Sequence, residues 1–575
     1  MKIKKVDIYI LILNALAFIF LLSSIFFSNI NLIRTISYYL DFIVFFLFML
    51  KLLIDFIESK YNLKDNLLDL FFIILIILIA ILTMVLQPFV TLDLKKIVVG
   101  MLIIRNFLSF YKNIGEDKKN RDFSKKMATH PAKTLITSYL FLIFLGTLLL
   151  MLPISTYTTK RIGFIDALFT VTSAISVTGL TVFNVGVDLT PFGQVVILLL
   201  IQVGGLGIMI FSYLTGFAIG KKLSIEERTT ISFAMNESDF TSIKKNVKNI
   251  ILITFSVEIV GMVLLFFKFI FLYDFSFKTF FFSLFHSVSA FCNSGFSLYS
   301  NSLYDFRDSI FLNIVITSLI IMGSLSFIVI IDIYKNLKTF INNQILKKHR
   351  AYKKLEHNTI VVLTVTTIMI VSGTLLFYIF EHNNTLLNEN IITQYLMSFF
   401  QSVSVRTTGF NTADNTALKN YTYFLFLAFM FIGGASGGTS GGVKVNTIGV
   451  LFVYLKSIVN NQNKVVLLKK SISKETITKS FLIVTFGIII IFVASIVLLI
   501  SEPFSLTQIL FETTSAFSTS GISTGITSSL TNIGKIVIMV LMFIGKVGPL
   551  TILLLTSQKT DNAQVEYPEA EIKIG

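Results

Sequence analysis

The sequence predicts an all-α polytopic membrane protein. Four tandem units, each a span, a pore helix, a glycine strand and a second span, surround one central pore. Four observations carry this. Of 575 residues, 54% are hydrophobic and 14% charged, against about 25% charged in a soluble domain. Apolar runs long enough to cross a ~30 Å hydrocarbon core recur along the chain. Lys and Arg gather in four loops, 111–133, 221–249, 334–357 and 456–479, and are sparse in the alternate ones. That asymmetry puts these loops, and with them both termini, on the cytoplasmic side. Finally, one short pattern returns four times at even spacing.

Residues 1–130 hold about four extra apolar spans, near 7–28, 37–58, 66–87 and 94–111. The run after "MKIKK" is longer than a signal peptide's apolar stretch and lacks an A-x-A cleavage site, so it is expected to stay as a first helix.

The recurring pattern is "TSAISVTGLTVF" (172–183), "VSAFCNSGFSLY" (288–299), "SVSVRTTGFNTA" (402–413) and "TSAFSTSGISTG" (514–525). Each is a hydroxyl-rich run leading to one glycine: Gly179, Gly295, Gly409 and Gly521. A hydroxylated residue precedes each (Thr178, Ser294, Thr408, Ser520) and an apolar one follows. The glycines lie 116, 114 and 112 residues apart. An apolar span comes before each, then a segment of roughly 12–15 residues, too short to cross and suited to a re-entrant half-helix. A second span follows. The units read as 131–246, 247–357, 358–477 and 478–557, with a cytoplasmic tail at 558–575. One such segment alone would read equally well as a close helix–helix contact; four at equal spacing read as strands meeting at an axis. Extended backbone at membrane depth is tolerated where it is buried in protein or lines a water-filled path. Glycine reaches φ > 0 without steric cost, so it can turn a carbonyl toward an ion.

"FIGGASGGTSGGVKVNT" (431–447) interrupts the second span of the third unit. Glycine costs a helix roughly 1 kcal/mol per residue against alanine, so the run marks a break. It is not a phosphate-binding loop, because Gly442 is followed by Val443, Lys444 and Val445 rather than Lys-Ser/Thr.

With "TLLLMLPIS", "SVTGL", "LIQVGGLGIM", "FHSVSAFCNSGFSL", "SVRTTGFNT", "FIGGASGGTSGG" and "FIGKVGPLT", the chain resembles the Trk/Ktr/HKT superfamily of potassium transporters over roughly residues 131–556. The likeness is greatest to the bacterial membrane subunits. The resemblance implies K+ uptake through a selectivity filter of Val177, Thr178, Gly179, Asn293, Ser294, Gly295, Thr407, Thr408, Gly409, Thr519, Ser520 and Gly521. Family members with serine at the first filter glycine favour Na+, so Gly179 points to K+. The resemblance also answers the glycine run. Residues 433–446 match an intramembrane gate loop, with Gly433, Gly434, Gly437, Gly438, Gly441, Gly442 and Lys546 as gate residues. A kink without function is the bland alternative. Lys546 stands where the family commonly has arginine. About ten residues, on the order of 15 Å of helix, separate it from the span's end, too far to snorkel. It is expected to latch loop carbonyls such as those of Gly437 and Gly438.

Charges inside a membrane are costly and usually functional. Arg406 and Glu512 are expected to pair and support the filter, the alternative being that each meets solvent at the outer vestibule. Asp166 reads as a cap on the first pore helix. Gln202 and the "GGLG" after it read equally as filter support or helix packing. Glu258 and Asp332 receive no role.

The single cysteine, Cys292, excludes internal disulfides and cysteine metal clusters. No convergent His, Asp or Glu set points to an enzyme, and the basic loops need no nucleic acid. K+ is the expected cargo, with Na+ as alternative, and no organic cofactor is expected in this chain. The resemblance implies a homodimer in the cell (inner) membrane. It also implies a separate cytoplasmic nucleotide-binding regulatory subunit, since no soluble G-x-G-x-x-G unit occurs here. A sodium-translocating relative and a secondary solute transporter remain alternatives.

Overall fold

The computed structural model describes residues 131–157, 162–207, 243–344, 354–462, 464–549 and 551. The extra N-terminal spans expected before residue 130 and the tail after 557 lie outside the described residues.

The first unit contains α1 (Pro131–Leu150), α2 (Phe164–Ser176) and α3 (Pro191–Leu206). The second contains α4 (Ile243–Ile270), α5 (Phe277–Phe291), α6 (Ile310–Ser324) and α7 (Phe327–Gln344). The third contains α8 (His357–Glu381), α9 (Ile391–Ser404), α10 (Asn420–Phe431) and α11 (Val445–Val459). The fourth contains α12 (Lys474–Ser501), α13 (Leu506–Ser518) and α14 (Asn532–Val547).

α4, α8 and α12 are long and apolar enough to cross a membrane. They turn side chains such as Ile259, Ile368 and Phe492 outward. α6 and α7 together have the length of a span but bend by 108° at residues 325–326. The second span of the third unit is broken between Phe431 and Val445.

α2, α5, α9 and α13 are 13, 15, 14 and 13 residues long, about 20 Å of helix, and stop inside the protein. Side-chain caps fix where three of them start. Ser276, Asn390 and Ser505 accept from Thr279, Thr393 and Gln508 amides, meeting donors that a helix N-terminus leaves unpaired. Their buried hydroxyls need partners in low dielectric. Ser176 and Ser518 return theirs to carbonyls one turn back, of Thr172 (2.6 Å) and Thr514 (2.7 Å).

The second spans press against these half-helices through glycine. A Cβ on Gly204 would lie 2.1 Å from the Ile175 carbonyl, one on Gly323 1.7 Å from Phe291, and one on Gly545 1.8 Å from Phe517. Each carbonyl lies four residues before a filter glycine. In the third unit the helix breaks at this level, and a Cβ on Gly433 would instead lie 2.3 Å from the Gly441 carbonyl.

Candidate functional site

The four glycine strands close into a ring. A Cβ on Gly179 would fall 2.3 Å from the Ser294 carbonyl oxygen. One on Gly295 would fall 1.9 Å from that of Thr408, one on Gly409 2.8 Å from that of Ser520, and one on Gly521 2.0 Å from that of Thr178. Each strand abuts the next and the fourth returns to the first. No side chain fits at any of the four positions.

The backbone alternates. Val177, Asn293, Thr407 and Thr519 have φ of 58°, 60°, 85° and 53°, and the glycines two residues on have φ of 93°, 68°, 90° and 77°. A strand with alternate residues flipped to positive φ turns successive carbonyls toward one side. Non-glycine residues hold this costly conformation only when their surroundings impose it. The surroundings here are the ends of the pore helices. The amides of Thr178, Ser294 and Ser520 donate to carbonyls of Ser173, Ser289 and Ser515, each at 2.8 Å. In the third unit Thr408 and Gly409 both donate to Ser404. Hydroxyls add braces: Ser289 to the Phe296 carbonyl (2.7 Å), Ser404 to Phe410 (2.5 Å), and Ser520 across units to Val405 (2.9 Å).

An outer cavity of about 700 Å³ lies over the ring, lined by all four glycines and by hydroxyl and amide side chains such as Asn184, Asn301 and Thr527. On the other side lies the glycine-rich loop. The Gly441 amide donates to the Thr519 hydroxyl (3.0 Å), and a Cβ on Gly441 would lie 2.5 Å from it. Only glycine lets the backbone approach so closely. The Ile432–Val443 bridge closes the loop's ends. Beneath the loop a second cavity, about 210 Å³, is lined by Gly437, Gly438, Ser440, Lys444 and Lys546 among others.

Lys546 donates to a loop carbonyl at 2.6 Å, but the acceptor is Thr439 rather than the expected Gly437 or Gly438. Gly437 has φ +81° and its carbonyl accepts from the Phe327 amide instead. Lys444, unassigned in the sequence, donates to the Ser440 carbonyl.

Arg406 and Glu512 do not pair. Both are buried, but they lie at opposite ends of the glycine strands. The Arg406 guanidinium makes a long contact, 3.5 Å, to the Gly433 carbonyl of the loop. Glu512 accepts from the Ser523 hydroxyl, the Thr524 amide (3.1 Å) and the Thr527 hydroxyl (3.1 Å) on the outer side of the fourth strand. Glu512→Ala strands two buried donors, of Thr524 and Thr527, at about 1–3 kcal/mol each. Thermal unfolding in detergent should show a clear loss of stability, and Glu512→Gln a smaller one. Equal melting of Glu512→Ala and the parent would remove the bracing role.

Asp166 lies in the first turn of α2, where a negative charge suits the helix dipole, although Gly163 holds the N-cap position without a side-chain bond. Asp166 also pairs with Lys535 of α14 at 2.7 Å, tying the first unit to the fourth. Gln202 donates to Glu258 at 3.2 Å, and the Cys292 thiol donates to the same carboxylate at 3.8 Å. A Cβ on Gly205 would lie 2.4 Å from the Cys292 sulfur. These contacts pack α3 against α4 and the end of α5. Sequence reasoning missed Glu381 and Glu502. They accept the amides of Lys419 (3.0 Å) and Thr531 (3.1 Å), where α10 and α14 begin. A carboxylate closing one span before another opens is the signal that was present.

Comparison with known proteins adds the following. A family model described as "Cation transport protein" (TrkH) matches residues 94–566. "Ktr system potassium uptake protein B" of Bacillus subtilis is 36% identical over 447 residues, covering 77% of this chain and 97% of that protein. "Potassium/sodium uptake protein NtpJ" of Enterococcus hirae is 34% identical over 453 residues, covering 77% and 97%. The crystal structure of the potassium transporter TrkH from Vibrio parahaemolyticus superposes with a TM-score of 0.59 at 17% identity, covering 86% of this chain and 99% of that one. At that identity it shows the fold alone.

Proposed function

We propose, from the premise that the chain belongs to the TrkH family of cation transport proteins, how it works as a membrane protein of potassium uptake. The observation that carries this is the closed ring of four glycine strands. K+ sheds water at the ring, where carbonyls of residues 177–179, 293–295, 407–409 and 519–521 replace its hydration shell. The pore-helix C-termini, each worth about half a negative charge, favour a cation there. An inside-negative potential contributes about 2.3 kcal/mol per 100 mV, roughly 40–50-fold accumulation with no hydrolysis in this chain. The loop at 433–446 is the gate. Its seat beneath the ring and the two lysines below it support that reading. The chain works as a homodimer in the cell membrane with a separate cytoplasmic nucleotide-binding regulator, and its basic loops face the cytoplasm.

Expression in cells lacking K+ uptake should restore growth at low K+ and give Rb+ influx well above Na+ influx. Na+ influx equal to or above Rb+ would favour the second reading, a sodium-carrying member, to which the name of the Enterococcus relative lends weight. Deleting residues 435–440 should raise Rb+ influx and loosen its dependence on the regulator. Unchanged or lower influx in a folded deletion protein would remove the gate.

A further inference from the structure

The gate loop is held by hydrogen bonds that the broken span of the second unit would need to be whole. In a continuous helix the Gly323 carbonyl accepts from the Phe327 amide, and the Ser324 carbonyl from the Ile328 amide. Here the Gly323 carbonyl accepts from the amide (3.2 Å) and hydroxyl (3.0 Å) of Thr439. The Ser324 carbonyl accepts from the Ala435 amide (2.9 Å), and the Phe327 amide donates to the Gly437 carbonyl (3.3 Å). The Ile328 amide turns to the Ser326 hydroxyl (3.3 Å). The two carbonyls and two amides at the centre of the junction have exchanged their helix partners for the loop or for a cap, while the flanking bonds Leu325–Ile321 and Ile330–Ser326 remain.

Withdrawing the loop would orphan those carbonyls and that amide in a buried place, which is costly unless they find each other. Residues 323–328, "GSLSFI", contain no proline, so the chain can continue as a helix through them. We propose that residues 323–328 are a hydrogen-bond switch: with the loop seated the span is broken, and as the loop leaves, α6 and α7 join by reclaiming the same groups. This rests on the loop being the gate. The two states compete for one set of donors and acceptors, so they exclude each other. Such mutual exclusion is what makes a packed element bistable rather than gradually deformable.

The switch has a lever. α7 is tied to the start of α8 through Asp332, which accepts from the Glu356 amide (2.9 Å) and the Thr359 hydroxyl (2.8 Å). Straightening a 108° bend breaks that tie, so whatever pulls α7 from α8 favours an open gate.

Two substitutions at one residue test this with opposite signs. Leu325 sits at φ −72°, ψ 147°, the conformation a residue before proline adopts. Ser326→Pro is therefore compatible with the broken span. In a joined helix it would remove a hydrogen bond and crowd the preceding turn, so the open population and Rb+ influx into proteoliposomes should fall about 100-fold. Ser326→Ala removes the hydroxyl that caps α7 and improves helix propensity, so influx should rise about fivefold. Spin labels at Ser318 and Phe340, both exposed, should move apart toward the ~33 Å of a straight 22-residue helix as Ser326→Ala raises influx. Both Ser326 variants should match the parent once residues 435–440 are deleted. If that deletion does not raise influx, the gate itself falls. If it does, but Ser326→Ala leaves influx and label distance at parental values, the gate stands and the switch is wrong. Should Ser326→Pro fail to fold, Ser326→Ala and the label distance decide.

Discussion

Gly179→Ser is expected to lower Rb+/Na+ discrimination at least tenfold. Two costs act together. Gly179 lies at φ +93°, a region that L-residues rarely enter and that costs of order 1–3 kcal/mol. A Cβ there would also fall 2.3 Å from the Ser294 carbonyl oxygen, well inside van der Waals contact. Relaxation must move one strand or the other, and both contribute carbonyls to the ring. A change of 1.4 kcal/mol between two ions is already tenfold in their ratio. K+ uptake should suffer more than Na+, because a loosened ring no longer replaces the larger ion's hydration shell closely. The measurement is the paired influx of Rb+ and Na+ into proteoliposomes. An unchanged ratio in a folded protein would mean that Gly179 is not part of the filter.

Lys546→Gln should raise resting influx about tenfold or more. The ammonium donates to the Thr439 carbonyl at 2.6 Å, and a hydrogen bond from a charged donor is worth about 1.5–3 kcal/mol. Thr439 is also the residue through which the loop holds Gly323, so releasing it frees two anchors. The substitution removes as well a positive charge from the cavity beneath the glycine-rich loop, where Lys444 supplies a second. Glutamine keeps a polar tip but no charge. Lys546→Arg should stay near parental influx, since the charge and a donor remain. Loss of influx in well-folded Lys546→Gln would overturn the latch and give the lysine a direct part in permeation or assembly.

The sequence alone determined the mostly helical class of fold. Its evenly spaced glycines correspond to the positions where the ring excludes a side chain, because the same close approach recurs at each. It also marked the break in the third unit, since no buried helix carries so many glycines without one. Sequence reasoning read the charges less well. Arg406 and Glu512 look like partners when only their closeness to the glycine strands is known, but they lie at opposite ends of those strands. Asp166 finds Lys535, 369 positions away, which no local pattern reveals. Glu381 and Glu502 look like chance charges at span ends until the next span folds beneath them.

The break in the second unit was invisible for a related reason. "GSLSFI" reads as ordinary helix, with one glycine and no proline. At its bend the glycine-rich loop, more than a hundred residues on, supplies the donors and acceptors that local helix would otherwise provide. Local sequence sets where backbone can be helical, through propensity and side-chain volume. Tertiary structure decides where it is, because each buried amide and carbonyl takes one partner among the several that the fold brings within reach.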